Sequence, residues 1–269
     1  MTPPPKEFSP NSIAIIGAGT MGEAMALAFL SDKKCSKEDL ILVEKRISKT
    51  EYFNSKGINV TTDVLEAVSK SKTIFLCVKP FDVNNILLQI RSVLRDEQLI
   101  VSIAAGITIS AIEDTLNKMN GVIRVMPNNC CIVKASATVY SLGKFATQEQ
   151  ATFVENFLSS LGIVSKCDEK LLDSFTGFTG SGPAYAYLFI QSLADGAVRN
   201  GIPREQAIKY AAQIAYGAGK LVLESKQHPA YLIDAVKQKE LISKNSFICL
   251  KFFTIYKIAS LYLILKLKT

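Results

Sequence analysis

Histidine is nearly missing from this chain: His228 is the only one in 269 residues. Structural zinc sites and His-based catalytic triads therefore lack the imidazoles they are built from, and no metal site is expected. The six cysteines, at 35, 77, 130, 131, 167 and 249, form no C-x-x-C pair, and several lie in apolar runs such as Ile74–Val78. Thiols placed this way pack as small hydrophobes, which points to a reduced, cytoplasmic setting. A concentrated basic stripe is absent too. The net charge is +7, but the 31 Lys and Arg are scattered and partly gathered after Val236, so no nucleic-acid partner is expected. Secretory features are lacking at the N-terminus, where the first ten residues hold four prolines and no apolar stretch. Residues 1–11 read as a flexible lead, and the scarcity of arginine there argues against an organelle presequence.

The composition that remains, 48% hydrophobic, is enough for one large domain or two modest ones. From Ser12 to about Val164, short β-branched runs alternate with stretches whose apolar residues recur every three or four positions. The runs predict strands near 12–16, 40–43, 58–60, 73–78, 98–103, 121–126, 137–140 and 163–166. The stretches 22–30, 63–69, 83–94, 110–117 and 147–160 predict helices between them. That alternation is the pattern of an α/β fold, a doubly wound parallel sheet of Rossmann type over 12–168. Beyond Lys166 the strand pattern stops, and 169–236 reads as an all-α domain, broken at Gly201-Ile202-Pro203. Its alanine-rich faces suit close helix packing, within one subunit or across a dimer.

The first strand runs directly into Gly17-Ala18-Gly19-Thr20-Met21-Gly22, a G-x-G-x-x-G followed by an Ala- and Leu-rich helix. In that context the glycines have separate tasks: Gly17 allows a tight turn, Gly19 lets backbone approach a pyrophosphate, and Gly22 lets helix lie against strand. The helix N-terminus then offers N–H groups to the phosphates, so Ile16 to Gly22 is taken as the centre of a dinucleotide site. Past the second strand, Glu44-Lys45-Arg46 stands where such domains read the adenosine ribose. The signal there is mixed. Glu44 would accept from the ribose hydroxyls of NAD and repel the 2′-phosphate of NADP, whereas Arg46, folded back, would grip that phosphate. Cys77, Val78, Lys79 and Pro80 end the fourth strand, and Ile103, Ala104 and Ala105 end the fifth, each a candidate cofactor wall.

These segments, together with Val122-Ile123-Arg124-Val125-Met126-Pro127-Asn128 and Thr176-Gly177-Phe178-Thr179-Gly180-Ser181-Gly182-Pro183-Ala184-Tyr185, resemble the pyrroline-5-carboxylate reductases. The resemblance runs from about Ile13 to Val236 and takes in Gly201-Ile202-Pro203 and His228-Pro229. It implies hydride transfer from NADPH or NADH to the imine carbon of 1-pyrroline-5-carboxylate, giving proline. It also implies a Rossmann domain joined to a helical domain that forms a homodimer or a higher homo-oligomer. A cyclic imine arrives protonated and needs orientation more than a strong base, which suits a chain so poor in histidine. The resemblance puts Glu169 beside the ring nitrogen. Ser181 and Gly182, ahead of Pro183, read either as a helix start that holds the substrate carboxylate or as a well-capped helix start alone.

The resemblance fails after Val236, where Lys237-Gln238-Lys239-Glu240 replaces the family's Pro-Gly-Gly-x-Thr segment, so no catalytic residue is assigned. Lesser departures are Asn129-Cys130 in place of Thr-Pro, and Val64 in place of an Asn near the adenosine. Over 244–269 the residues are mainly those with A/T-rich codons, as translation into an intron or a shifted frame would give. A membrane anchor over Phe247–Leu265 is disfavoured by Lys251 and Lys257, each costing about 2.5–3.5 kcal/mol at mid-bilayer. A helix replacing part of the dimer interface is the third reading of the tail. The alternative to a working reductase is accordingly a truncated or aberrant isoform that binds dinucleotide with little or no turnover.

Overall fold

Eight short apolar segments form one sheet in a computed structural model that describes residues 12–237. The readings of the lead over 1–11 and of the tail after 237 fall outside the described residues. The strands are β1 (Ile13–Ile16), β2 (Leu40–Val43), β3 (Asn59–Thr61), β4 (Thr73–Leu76), β5 (Leu99–Ser102), β6 (Gly121–Met126), β7 (Ser136–Leu142) and β8 (Gly162–Lys166). They lie in the order β3-β2-β1-β4-β5-β6-β7-β8. β1, β4 and β5 are buried along their whole length, which is why they read as unbroken Ile, Val, Leu and Phe rather than alternating.

Each face of the sheet has its own core. Helix α1 (Thr20–Ser31) packs Met25 and Phe29 on one side, with Phe157 meeting Phe29 edge-on at 5.1 Å between ring centres. Helix α2 (Ile47–Ser55) follows β2 and buries only Phe53. On the opposite face α3 (Val64–Ser69), α4 (Pro80–Ile90) and α5 (Ile109–Leu116) bury Val68, Leu87, Ile90, Ile112 and Leu116. Helix α6 (Gln148–Leu158) starts with a reciprocal cap between Thr147 and Gln150 and carries Phe157 into the first core.

The sheet is parallel from β3 to β6, but β7 runs antiparallel to β6. This antiparallel pair has a steric reason. The link 127–135 holds only a short 3-10 turn (Asn129–Val133), and a parallel crossover needs a dozen residues or more. The chain between β7 and β8 contains α6, and that pair is parallel. Strand order reverses at β1, between β2 and β4, and this leaves a crevice at the carboxyl ends of β1 and β4.

Helical chain begins at Glu169, passes through α7 (Leu172–Phe175) and widens into a π turn over Thr176–Gly180. The two compact units divide between Ser181 and Gly182. The second unit holds α8 (Gly182–Arg199), α9 (Arg204–Ser225) and α10 (Pro229–Lys237). Ala194, Ala207 and Ala211 let α8 and α9 approach closely and bury little else fully, apart from Ser192 and Gly196. Among the described residues, no helix is long and apolar enough to cross a membrane.

Candidate functional site

The turn between β1 and α1 separates the three glycines by cause. Gly17 has φ +98°, and a Cβ there would lie 2.9 Å from the Cys77 carbonyl oxygen. A Cβ at Gly22 would fall inside the van der Waals shell of the Gly17 carbonyl oxygen, because helix and strand already touch. Gly19 is different: its φ is −69°, and a Cβ would meet no atom of the described residues within 4 Å. Neither fold nor conformation requires glycine at 19, so what remains is space kept for an approaching ligand. Gly19 is also the N-cap of α1 and gives it no side-chain cap, which leaves the first-turn N–H groups facing that space. A pyrophosphate fits these features.

Beside the turn is a cavity of about 290 Å³, walled by Val64 and Val78 and rimmed by Glu44, Lys45, Asn85 and Gln89. Apolar walls with an amide rim suit a flat nucleoside. Val64, where the resemblance expects Asn, presents methyl groups to this cavity. The other sequence-predicted walls follow the carboxyl ends of β4 and β5, where Ile103 N donates to the Leu76 carbonyl. Lys79 is the N-cap of α4 and Pro80 its first residue, where a missing N–H does no harm. The Cys77 sulfur lies 3.9 Å from that of Met25, and burial pushes its thiol above the usual range, which makes it a wall and not a nucleophile. Ala104 is buried, Ala105 is exposed, and Gly106 turns the chain at φ +75° toward α5.

Glu44 and Arg46 lock onto each other. Glu44 Oε1 accepts from Lys45 N (2.9 Å), Arg46 N (3.0 Å) and Arg46 Nε (3.0 Å), while Oε2 accepts from Arg46 Nη2 (2.6 Å). Hydrogen bonds from the Arg46 guanidinium, opposed by partial burial, hold the Glu44 carboxyl down at about 2. Arg46 Nη2 also points to the Ala18 carbonyl at 3.5 Å, within the glycine turn.

Glu169 is tied into the Rossmann unit. Its Oε1 accepts from Ile109 N at the start of α5 (2.7 Å) and from Arg124 Nη1 (3.2 Å). Arg124 donates through Nη2 to Asp173 (2.9 Å), and its Nε is buried without a partner among the described residues. α8 starts at Gly182, as the helix-start reading of Ser181 and Gly182 has it, but the Ser181 side chain is turned the other way. The Ser181 backbone is helical, at φ −86° and ψ −15°, and its N–H and hydroxyl both turn back to the Thr176 carbonyl. Ser181 thus closes the preceding π turn as its C-cap, while α8 starts beside it.

Two residues of consequence were not singled out from sequence alone. Arg124 was legible only as the one charge in an otherwise apolar strand, and Asn128 only as part of a motif. Asn128 accepts from Cys130 N (3.0 Å) and donates to the Thr179 carbonyl (3.0 Å), which pins the loop after β6 to the π turn. Asn128→Ala is expected to cost about 1–2 kcal/mol, read as a thermal midpoint several degrees lower. A midpoint unchanged within error would remove that role.

Comparison with known proteins agrees with this arrangement. A family model described as "Pyrroline-5-carboxylate reductase dimerisation" matches residues 169–241, and one described as "NADP oxidoreductase coenzyme F420-dependent" matches 12–106. Pyrroline-5-carboxylate reductase 2 of Homo sapiens is 38% identical over 230 residues, covering 84% of this chain and 72% of the relative. Pyrroline-5-carboxylate reductase of Pisum sativum is 36% identical over 225 residues, covering 84% and 82%. The solved structure of Plasmodium falciparum pyrroline carboxylate reductase with NADP bound superposes with a TM-score of 0.79 at 26% identity, covering 97% of this chain and 95% of that one. With this identity spread over most of both chains, and a dinucleotide cradle already evident in its geometry, the chain belongs to the pyrroline-5-carboxylate reductase family.

Proposed function

We propose that this chain reduces 1-pyrroline-5-carboxylate to L-proline, with NADPH or NADH as the reductant held against the turn Ile16–Gly22. The observation that carries the reading is the open space in front of Gly19, at an uncapped helix N-terminus, in a chain of this family. The bound dinucleotide supplies the hydride. The chain supplies first-turn N–H groups for the phosphates, Val64 and Val78 for the adenosine, and the segments 77–80 and 103–105 as walls. A protonated imine already carries the proton its nitrogen keeps, so hydride delivery completes the reaction without a side-chain acid.

For the substrate, the reading keeps Ser181 and Gly182 as the binding segment, with the carboxylate engaged through the Gly182 N–H, since the Ser181 N–H and hydroxyl both turn to the Thr176 carbonyl. Glu169 enters through its fixed position: with Oε1 given to Ile109 and Arg124, the carboxylate contributes negative charge toward an iminium. The helical unit is proposed to be completed by a second copy of the chain. Tyr210, Ile214 and Leu221 on one side of α9, and Tyr216 and Leu223 on the other, are all more than half exposed, apolar surfaces that one chain alone leaves wet. Tyr216→Glu combined with Leu223→Glu is expected to yield monomer in size-exclusion chromatography, and an unshifted elution would set that surface aside. The free thiols of Cys35, Cys77, Cys130, Cys131 and Cys167 support the reducing, cytoplasmic setting proposed here.

The decisive assay follows reduced-nicotinamide absorbance on addition of 1-pyrroline-5-carboxylate, with proline as the product identified. Consumption of NADPH or NADH with matching proline supports the proposal. Saturable dinucleotide binding without turnover would overturn it in favour of the non-turning isoform.

A further inference from the structure

We infer that Glu44 is a positioning residue that holds the Arg46 guanidinium ready for the 2′-phosphate of NADP(H), and does not itself read the adenosine ribose. The inference rests on the dinucleotide reading above and concerns how the two coenzymes are told apart. A carboxylate after the second strand ordinarily selects NAD by accepting from the ribose hydroxyls, and that requires open lone pairs. A carboxylate offers about four acceptor positions. Here Oε1 is already crowded by three donors, Lys45 N, Arg46 N and Arg46 Nε, and Oε2 takes the charged Arg46 Nη2 at 2.6 Å. Burial reinforces the geometry, with the Glu44 side chain 8% exposed beneath an Arg46 side chain that is 57% exposed. A ribose hydroxyl would have to share Oε2 with the guanidinium, at an oxygen that is largely buried.

Arg46 is left with the opposite properties. Its Nη1 has no partner among the described residues, and its Nη2 lies 3.5 Å from the Ala18 carbonyl. The cation therefore stands beside the turn that would take the pyrophosphate, with donors still open toward solvent. Lys45 is exposed alongside it, and the other carboxylate that acts on Arg46, Glu23, is paired with Lys49. An arginine already fixed by a bidentate partner loses little further freedom when it grips a phosphate. The deeply ionised Glu44 keeps that fork closed across the neutral range.

The test is calorimetric titration of the purified full-length chain with NADP+ and, separately, NAD+, with thermal midpoints measured on every variant. The unaltered chain is expected to bind NADP+ at least about tenfold more tightly than NAD+. Arg46→Gln should remove that preference by weakening NADP+ alone. Glu44→Gln keeps the shape but turns an acceptor into a donor that cannot hold the guanidinium. It should lower the NADP+ to NAD+ affinity ratio by roughly three- to tenfold while NAD+ affinity stays level. General damage to the fold would weaken both nucleotides together and leave the ratio unchanged. If Glu44→Gln instead weakens NAD+ and spares NADP+, or leaves the ratio where it was, the inference is overturned while the dinucleotide site stands. Failure of the folded, unaltered chain to bind either nucleotide overturns both.

Discussion

Gly19→Ala is expected to fold like the unaltered chain and to lose at least about tenfold in dinucleotide affinity, or roughly 1.4 kcal/mol. Gly22→Ala should fail in the opposite way. At 19 the added methyl meets no atom of the described residues within 4 Å and the backbone at φ −69° accepts alanine, so neither packing nor strain opposes the change. The methyl would fill the gap through which backbone N–H groups meet a phosphate, so the loss falls on the ligand. At 22 the methyl would press on the Gly17 carbonyl oxygen and sit 3.2 Å from Ile15 Cγ2. Backbone cannot swing aside as a side chain does, and the strain should reach about 3 kcal/mol or more. In a unit of this size that lowers the thermal midpoint by roughly 10 °C. Nucleotide titration and thermal unfolding on the two variants, side by side, check the claim. Undiminished affinity in folded Gly19→Ala would mean that no ligand passes there.

The same contrast explains how much of the fold was readable in the sequence. Strands buried on both faces must be mainly apolar, so Ile13–Ile16, Thr73–Leu76 and Leu99–Ser102 announced themselves, whereas their order in the sheet was not read from the sequence. Helix α2 was missed because it packs only Phe53; a helix that buries one side chain leaves no apolar period to detect. The reversal at β7 was encoded in the length of a link, not in the residues of the strand. In the site, glycine positions were legible because backbone geometry restricts them to one residue type. Side-chain direction was not. Glu44-Lys45-Arg46 is compatible with a carboxylate facing a ribose or facing its own neighbour two residues on, and only the folded-back geometry distinguishes them. At Gly-Ser-Gly-Pro the start of α8 was legible, whereas the direction of the Ser181 hydroxyl, taken up by the π turn ahead of it, was not.

Arg124, Glu169 and Asp173 should show a strict order of effect, with Glu169→Gln the most damaging, Arg124→Met intermediate and Asp173→Asn close to neutral. The order follows from where each charge sits: the arginine side chain is 2% exposed, Glu169 31% and Asp173 81%. Removing the Glu169 charge leaves a buried guanidinium, whose Nε already lacks a partner, facing one solvated carboxylate, and weakens the acceptor of Ile109 N. An uncompensated buried charge of this kind costs about 3 kcal/mol. Arg124→Met removes that charge at nearly constant volume and releases two carboxylates that water can reach, for a loss of about 1–2 kcal/mol. An exposed partner such as Asp173 contributes under about 1 kcal/mol. Because the damage in Glu169→Gln comes from the stranded arginine, adding Arg124→Met to it should restore stability, and the double variant should be more stable than Glu169→Gln alone. Denaturant unfolding of the four variants tests the order, with KM and kcat for 1-pyrroline-5-carboxylate measured on each. Should Glu169→Gln unfold like the unaltered chain yet lose turnover, the carboxylate acts on substrate and its pairing with Arg124 is incidental. Additive losses in the double variant would likewise dismiss the stranded charge as the cause.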